Sequence, residues 1–191
     1  MIRILFFILL ILANQTSLGQ ISSSKFIFAK EYSKEIALYR AKTFVIEDIL
    51  GENSEVLKFE IDPIAAATSG ELTTLIYKCE EKNKSGLILG FFGNKWNSAG
   101  VTFQAYAFKS LPLTQAKEFL NKIEIAIKEN SKYLKDDLDN NNIYFQFEDI
   151  TILISNGAYG SKLRIYWDDF DSAWDFTEFE ITKKRLLKKL K

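Results

Sequence analysis

The sequence predicts an α+β protein: a single antiparallel sheet of about six to eight strands, with two helices packed on one face. Three observations lead to this fold class. Several short segments alternate apolar and polar residues, as half-buried strands do. Short runs rich in Asn and Gly separate these segments, which favours hairpins over helical crossovers. Two longer segments place their apolar residues at helical spacing instead.

The alternating segments are the predicted strands. In one of them Leu57, Phe59 and Ile61 share a face, and the residues between them are charged. The turns between strands contain sequences such as Asn83 to Gly86 and Asn156-Gly157. The predicted strands span 36–49, 55–62, 72–80, 87–92, 100–108, 143–148, 150–155 and 162–167.

Two helices are predicted. The first spans 114–134, and Pro112 lies just before it, where a proline stops any earlier helix. The second spans about 173–190, with Ser172 as its N-cap and Asp175 three residues later, at the spacing of a capping box. Its apolar side chains fall on one arc of the helix: Phe176, Phe179, Leu186, Leu187 and Leu190.

The C-terminal segment differs in charge from the rest of the chain. Residues 183–191 hold six basic side chains and no acid, whereas residues 20–182 hold 18 basic and 25 acidic ones. The acidic body argues against a nucleic-acid partner, because it repels phosphate. Two interpretations of the tail stay open: the apolar arc docks on the sheet, or the segment Lys183–Lys191 contacts an anionic membrane surface. Docking is favoured, because burial of leucines stabilises the fold.

The first 19 residues have the layout of a secretory signal peptide. A positive start, Met1 to Arg3, precedes the apolar run Ile4 to Ala13, and small residues follow at Ser17 and Gly19. The apolar run has about half the length of a membrane-spanning helix, and no later segment resembles one. We therefore expect cleavage between Gly19 and Gln20, with residues 20–191 forming a single periplasmic or extracellular domain. Residues 20–35 fit neither pattern and are predicted to be a mobile leading segment.

The composition excludes most common catalytic classes. The chain has no histidine and a single cysteine, Cys79. It therefore has no Ser-His-Asp triad and no histidine-ligated zinc, and it forms no internal disulfide. No phosphate-binding or dinucleotide-binding glycine motif is present, so no cofactor is expected. Cys79 continues the apolar phase of its strand and is predicted to be a buried, inert thiol.

The segment after the first helix has the ligand spacing of a calcium loop. Asp137, Asp139 and Asn141 lie at alternate positions, Glu148 is the twelfth residue, and Asn142 replaces the usual glycine. Residues 143–148 alternate as a strand, however, which carries Glu148 some 16 Å from the seventh position. The sequence therefore predicts an Asx-type turn, with calcium as the weaker alternative.

A second candidate site combines carboxylates with tryptophans, as glycosidases do. The nearby residues Trp167 and Trp174 supply aromatic rings. The alternative is a structural one, in which Trp167 continues an apolar strand face and the acids lie in a solvated connection. If the protein is an enzyme, the predicted catalytic acids are Asp168, Asp169, Asp171 and Glu148.

A third candidate is the glycine-bounded loop 93–100. Trp96 lies among small polar residues there, and Asn94 and Asn97 flank it. An exposed tryptophan stacks on ligands, with amides as hydrogen-bonding partners. The competing interpretation is that Trp96 anchors the loop to the core.

Together these observations predict an exported, non-catalytic protein that binds a protein, a surface or a small ligand. The predicted ligand-binding residues are Trp96, Asn94, Asn97, Trp167 and Trp174. The alternative is a carboxylate-dependent hydrolase acting on glycans.

Export predicts a defined mature end. Intact mass measurement of the protein recovered from the cell envelope or medium should give a chain starting at Gln20, because cleavage follows the small residues Ser17 and Gly19. Recovery of mainly full-length protein starting at Met1 would show that the apolar run is retained.

Overall fold

The structure is a computed structural model that describes residues 37–52, 54–67, 69–96, 99, 102–138, 140–157 and 160–189. For residues 94–96 and 102–104 it describes the backbone only. The chain divides into two units, Met1–Arg40 and Ala41–Lys191. In the first unit residues 37–40 are helical. The predicted signal peptide and leading segment lie outside the described residues.

The second unit contains two four-stranded antiparallel sheets. Sheet A consists of β1 (Glu60–Ala66), β2 (Leu72–Cys79), β3 (Lys84–Trp96) and β4 (Thr102–Pro112), paired in that order. Sheet B consists of β5 (Asn142–Phe147), β6 (Ile150–Gly157), β7 (Gly160–Trp167) and β8 (Phe170–Asp175), also paired in chain order. Each sheet is therefore a meander of consecutive hairpins.

A long helix follows each sheet. After β4 come α1 (Leu113–Glu129) and the short α2 (Ser131–Asp136), so the predicted helix 114–134 is confirmed but interrupted at Asn130. After β8 comes α3 (Phe176–Lys189). Each half of the second unit is thus a four-stranded meander followed by helical structure.

The α+β class is confirmed, but the single sheet is not. The chain forms two sheets because β5 pairs with β6 and not with β4. Helices α1 and α2 lie between β4 and β5 in the chain. Alternation along a strand defines its faces and leaves its neighbours unspecified. The same alternating pattern is therefore compatible with one sheet or with two.

The strand predicted at 36–49 is wrong. Residues 41–44 are α-helical and lead into a π-helical segment, Val45–Leu50. Ala41 and Val45 are four residues apart and both fully buried, as one helical face requires. Phe44 contacts Phe108 of β4, with ring centroids 5.5 Å apart.

The start of the second predicted helix is also wrong. Residues 170–175 form β8, in which Phe170, Ser172 and Trp174 are buried and the residues between them point outward. Ser172 is therefore a core strand residue and not an N-cap. Asp168 and Asp169 both have positive φ, 48° and 62°, as in a type I′ turn that closes the β7–β8 hairpin.

The remaining strand predictions hold with shifted ends. The one predicted at 55–62 begins only at Glu60 and continues to Ala66, and Val56 before it is 92% exposed. The other six overlap β2 to β7. Cys79 is buried, as predicted.

One core serves both sheets. The ring of Trp174 stacks on Phe119 of α1 at 6.3 Å and meets Phe179 of α3 edge-on at 5.4 Å. Phe91 of β3 contacts Phe170 of β8 at 5.8 Å. Both sheets and both long helices therefore supply aromatic rings to the same interior.

Helix α3 docks on sheet A, so the docking interpretation is confirmed for residues 176–189. Phe179, Thr182 and Leu186 are fully buried, and the Thr182 and Thr74 hydroxyls lie 2.7 Å apart. The Thr182 hydroxyl also lies 2.7 Å from the Glu178 carbonyl, and the Thr74 hydroxyl lies 3.4 Å from the Ala65 carbonyl.

Two cations of the basic tail have partners in other elements of the fold. Arg185 Nη1 donates to the Ile64 carbonyl at 2.7 Å. Lys183 pairs with Glu124 of α1, which takes its ammonium away from the apolar arc. Among the described residues, no helix is long and apolar enough to cross a membrane.

Docking of α3 predicts that one apolar substitution lowers the free energy of unfolding strongly and that another lowers it only slightly. Phe179→Ala removes a fully buried ring and should lower the free energy of unfolding by about 3–5 kcal/mol. Leu187→Ala, on the same helix but 41% exposed, should cost no more than about 1 kcal/mol. Urea unfolding followed by circular dichroism measures both. Equal effects would contradict the docked orientation.

Candidate functional site

The two faces of sheet B differ in burial. On the face toward the core, Ile152, Ile154 and Ile165 are fully buried. None of the side chains on the opposite, outer face is buried. The outer face carries Asn142, Tyr144, Gln146, Thr151, Leu153, Ser155, Lys162, Arg164, Tyr166, Asp171, Ala173 and Asp175.

The outer face places aromatic, polar and balanced charged groups side by side. Strand pairing aligns Tyr144, Leu153 and Arg164 across β5, β6 and β7. Tyr144 is 74% exposed. Arg164 Nε donates to Asp171 Oδ1 at 2.7 Å, and this hydrogen bond raises the pKa of the guanidinium. The face therefore presents an open sheet surface with an aromatic ring available for stacking.

A groove lies beside this face, between α1 and the edge strand β5. It has a volume of about 420 Å³ and is lined by Lys122, Ile125, Ala126, Glu129, Asn130, Ile143, Tyr144 and Phe145. Ile125 is 50% exposed there. At one end, Lys122 Nζ donates to the Gln146 carbonyl at 2.9 Å and lies 5.0 Å from the centroid of the Phe145 ring.

A second cavity, of about 410 Å³, lies between the helical segment 41–50 and the outer face of sheet A. Tyr77 and Ser110 line it, and their hydroxyls are 3.3 Å apart. Lys84 lines it too and donates to the Ile49 carbonyl. These polar groups thus already bind one another across the cavity, so we do not place the candidate site there.

A three-residue junction links the two sheets. Asp149, in the β5–β6 turn, accepts from Lys109 Nζ of β4 at 2.7 Å and from Trp167 Nε1 at 2.8 Å. The Lys109 ammonium also lies 5.8 Å from the centroid of the Trp167 ring. The hydrogen bond from Lys109 is the main cause that lowers the pKa of Asp149. This junction fixes the position of the turn relative to sheet A.

The predicted aromatic ligand residues have different positions. Trp174 is 1% exposed and belongs to the core, so its ring is not on the surface. Trp167 is half-buried, packs on Phe91 at 5.1 Å and gives its N–H to Asp149. For Asn94 and Trp96 only the backbone is described, at the end of β3, and Asn97 lies outside the described residues.

The predicted catalytic acids lie on two hairpins of sheet B. Glu148 occupies the β5–β6 turn, with φ 53°, and Asp168 and Asp169 form the β7–β8 turn. In a meander, alternate turns fall at the same end of the sheet, so these acids share one end. Asp171 lies on the outer face, paired with Arg164. All four carboxylates are exposed.

The Asp/Asn segment is a turn held by its own side chains. Asp137 Oδ1 accepts from the backbone N–H of Asn140 at 3.2 Å, and Asn141 Nδ2 donates to the Tyr133 carbonyl at 2.7 Å. Residues 142–147 form β5, as the strand pattern predicts, so Glu148 lies beyond the far end of that strand. Asp139 lies outside the described residues. Within the described part of the chain, no group of three or more His, Cys, Asp or Glu side chains is arranged for a metal ion.

Apart from Asp171, the residues of the outer face were missed by the sequence analysis. Tyr144 and Tyr166 occupy solvent-facing positions of β5 and β7, where polar side chains are expected. Large aromatic rings at those positions were the signal that was available. The edge position of β5 carries no such signal, because it depends on strand order.

Comparison of this chain with models of known protein families, with curated proteins and with solved structures finds no match.

The Asp149 junction predicts a defined pH dependence. Because the pKa of Asp149 is lowered in the folded state, its stabilising effect is present above its ordinary pKa of 3.8 and is lost as pH falls below that value. Asp149→Asn should therefore destabilise the protein at pH 7, and the difference from wild type should shrink below about pH 4.

Thermal unfolding between pH 2.5 and 7 measures this difference. Glu148→Gln, in the same turn, is the control and should keep the pH dependence of the wild type. A deficit for Asp149→Asn that is the same at every pH would show that the effect comes from packing and not from the charge.

Proposed function

We propose that this chain is an exported, non-catalytic binding protein and that the outer face of sheet B is its binding surface. The observation that carries the proposal is the exposed Tyr144 in line with Arg164 on a sheet face that buries none of its side chains. Protein surfaces use exposed aromatic rings among polar groups to bind partners. Export is supported by the short apolar run that follows Arg3.

The shape and charge of this face favour a macromolecular partner with an extended surface, such as a protein or a polysaccharide. The face is a four-stranded sheet rather than a pocket, whereas small ligands bind in concave sites. Its lysine and arginine, Lys162 and Arg164, are matched by Asp171 and Asp175. A face of balanced charge gives no general attraction to polyanions, so we expect recognition through stacking and hydrogen bonds.

Glycan hydrolysis is the second candidate, because Glu148, Asp168 and Asp169 share one end of sheet B near Trp167. Hydrolysis requires two carboxyl groups about 5–9.5 Å apart across a cleft that holds the sugar. These carboxylates lie exposed on hairpin turns, and the Trp167 N–H is bound to Asp149. We therefore favour binding.

The proposal is tested by capture with matched variants. The tagged protein retains partners from the envelope and medium of its host, and mass spectrometry and glycan analysis identify them. Tyr166→Ala, on β7 away from the sheet edge, should weaken binding of the specific partner by about 30-fold, the effect of losing an aromatic residue at the centre of an interface.

Tyr106→Ala is the matched control, because Tyr106 is 47% exposed on β4 of the other sheet. It should leave binding unchanged. A partner that is lost with Tyr106→Ala and kept with Tyr166→Ala would place the binding surface on sheet A and contradict the proposal.

A further inference from the structure

The strand edges of the two sheets are not equally protected. Edge strands normally carry a proline, a charge, a bulge or a cover that prevents pairing with another chain. Strand β1 contains Pro63 and an irregular register between Pro63 and Ala65, and α3 packs along it. At β8, the Glu71 carboxylate accepts the N–H of Ala173 at 2.8 Å. Strand β4 ends at Pro112, and its Lys109 is bound to Asp149.

Strand β5 has no proline, charge or bulge in its own six residues. Its sequence, NIYFQF, contains no proline or charged residue, and its pairing with β6 is regular throughout. The two-residue turn pairs Phe147 with Ile150, so the backbone groups of Asn142, Tyr144 and Gln146 point to the free edge. Lys122 covers the Gln146 carbonyl. Among the described residues, no group covers the outward N–H and C=O of Tyr144.

Exposed apolar side chains flank this edge. Tyr144 and Ile125, 74% and 50% exposed, line the groove itself. Tyr133 and Leu138, 49% and 43% exposed, lie on the segment that connects α1 to β5. Clustered exposed apolar groups mark an interaction surface.

The groove is complementary to itself. Helix α1 runs antiparallel to β5, because Lys122 lies at Gln146 while Glu129 and Ile143 line the groove together. The helix covers about 10 Å between Lys122 and Glu129, and the strand covers about 10 Å between Ile143 and Gln146. A twofold axis beside Tyr144 therefore passes midway between Lys122 and Glu129.

Such an axis brings each charge opposite its counter-charge. Lys122 of one copy faces Glu129 of the other, and the reverse pair forms at the same time, as a symmetric interface requires. In the pairing, the Asn142 N–H of the second copy replaces Lys122 at the Gln146 carbonyl. The lysine released in this way pairs with Glu129.

We infer that this protein forms a symmetric dimer in which two copies of β5 pair antiparallel about Tyr144, held by reciprocal Lys122–Glu129 pairs. The two copies of sheet B then form one sheet of eight strands. Their outer faces become continuous, so that the dimer presents two adjacent copies of that face. The inference stands on the edge and the groove alone and does not depend on what the outer face binds.

Charge reversal tests the interface. Sedimentation equilibrium of the purified, processed protein should give a mass of two chains that dissociates on dilution. Lys122→Glu and Glu129→Lys should each weaken dimerisation by at least about tenfold, because each leaves two like-charged pairs across the axis. The double variant, Lys122→Glu with Glu129→Lys, should restore the dimer.

A mixing experiment tests the reciprocal pairing itself. Equimolar Lys122→Glu and Glu129→Lys chains should form a heterodimer, because both pairs are then attractive. Lys117→Glu with Glu118→Lys, on the same helix outside the groove, is the control and should leave dimerisation unchanged.

Strand pairing is tested by Tyr144→Lys, which places two like charges opposite each other at the axis and should yield monomers. Circular dichroism confirms that each variant is folded. If Tyr144→Lys unfolds, Tyr144→Thr replaces it, because threonine suits a strand but removes the exposed ring, and dimerisation should weaken. Two results would overturn the inference. One is a wild-type chain that stays monomeric at about 100 μM, a concentration at which a weak dimer still forms. The other is a pair of single variants that fail to form a heterodimer.

Discussion

The buried ring of Trp174 contacts both long helices, and the architecture depends on this contact. Phe119 of α1 stacks on one side of the ring, and Phe179 of α3 meets it edge-on. Since α1 follows sheet A and α3 follows sheet B, the same residue joins the two halves. An isolated four-stranded meander would leave its apolar face in water, so each half needs the other to complete its core.

This shared core determines which surfaces remain available. Helices α1 and α3 and the inner faces of both sheets are used in the interior, and the helical segment 41–50 covers part of the outer face of sheet A. The outer face of sheet B and the edge of β5 stay exposed. The Asp149 junction with Lys109 and Trp167 links the end of sheet B to sheet A. The proposed binding surface is thus the part of the sheet that folding leaves unused.

The sequence predicted the elements better than their arrangement. Alternation located seven of the eight strands because it reports which face of a strand is buried. It misread residues 170–175, where the acids beside Trp174 resembled a solvated connection although Phe170, Ser172 and Trp174 keep the strand phase. The role of Trp174 could not be predicted, since its neighbours Phe119 and Phe179 come from helices whose packing partners lie far away in the chain. Strand order, and with it the edge position of β5, is likewise set by tertiary packing.

The most direct test of this shared core is native-state hydrogen exchange at increasing denaturant. If one core joins the two halves, the slowest amides of β2 and β3 and those of β6 and β7 should open with the same free energy and merge into one global unfolding event. Protection in sheet B that persists after sheet A has opened, with opening free energies separated by more than about 1.4 kcal/mol, would contradict it.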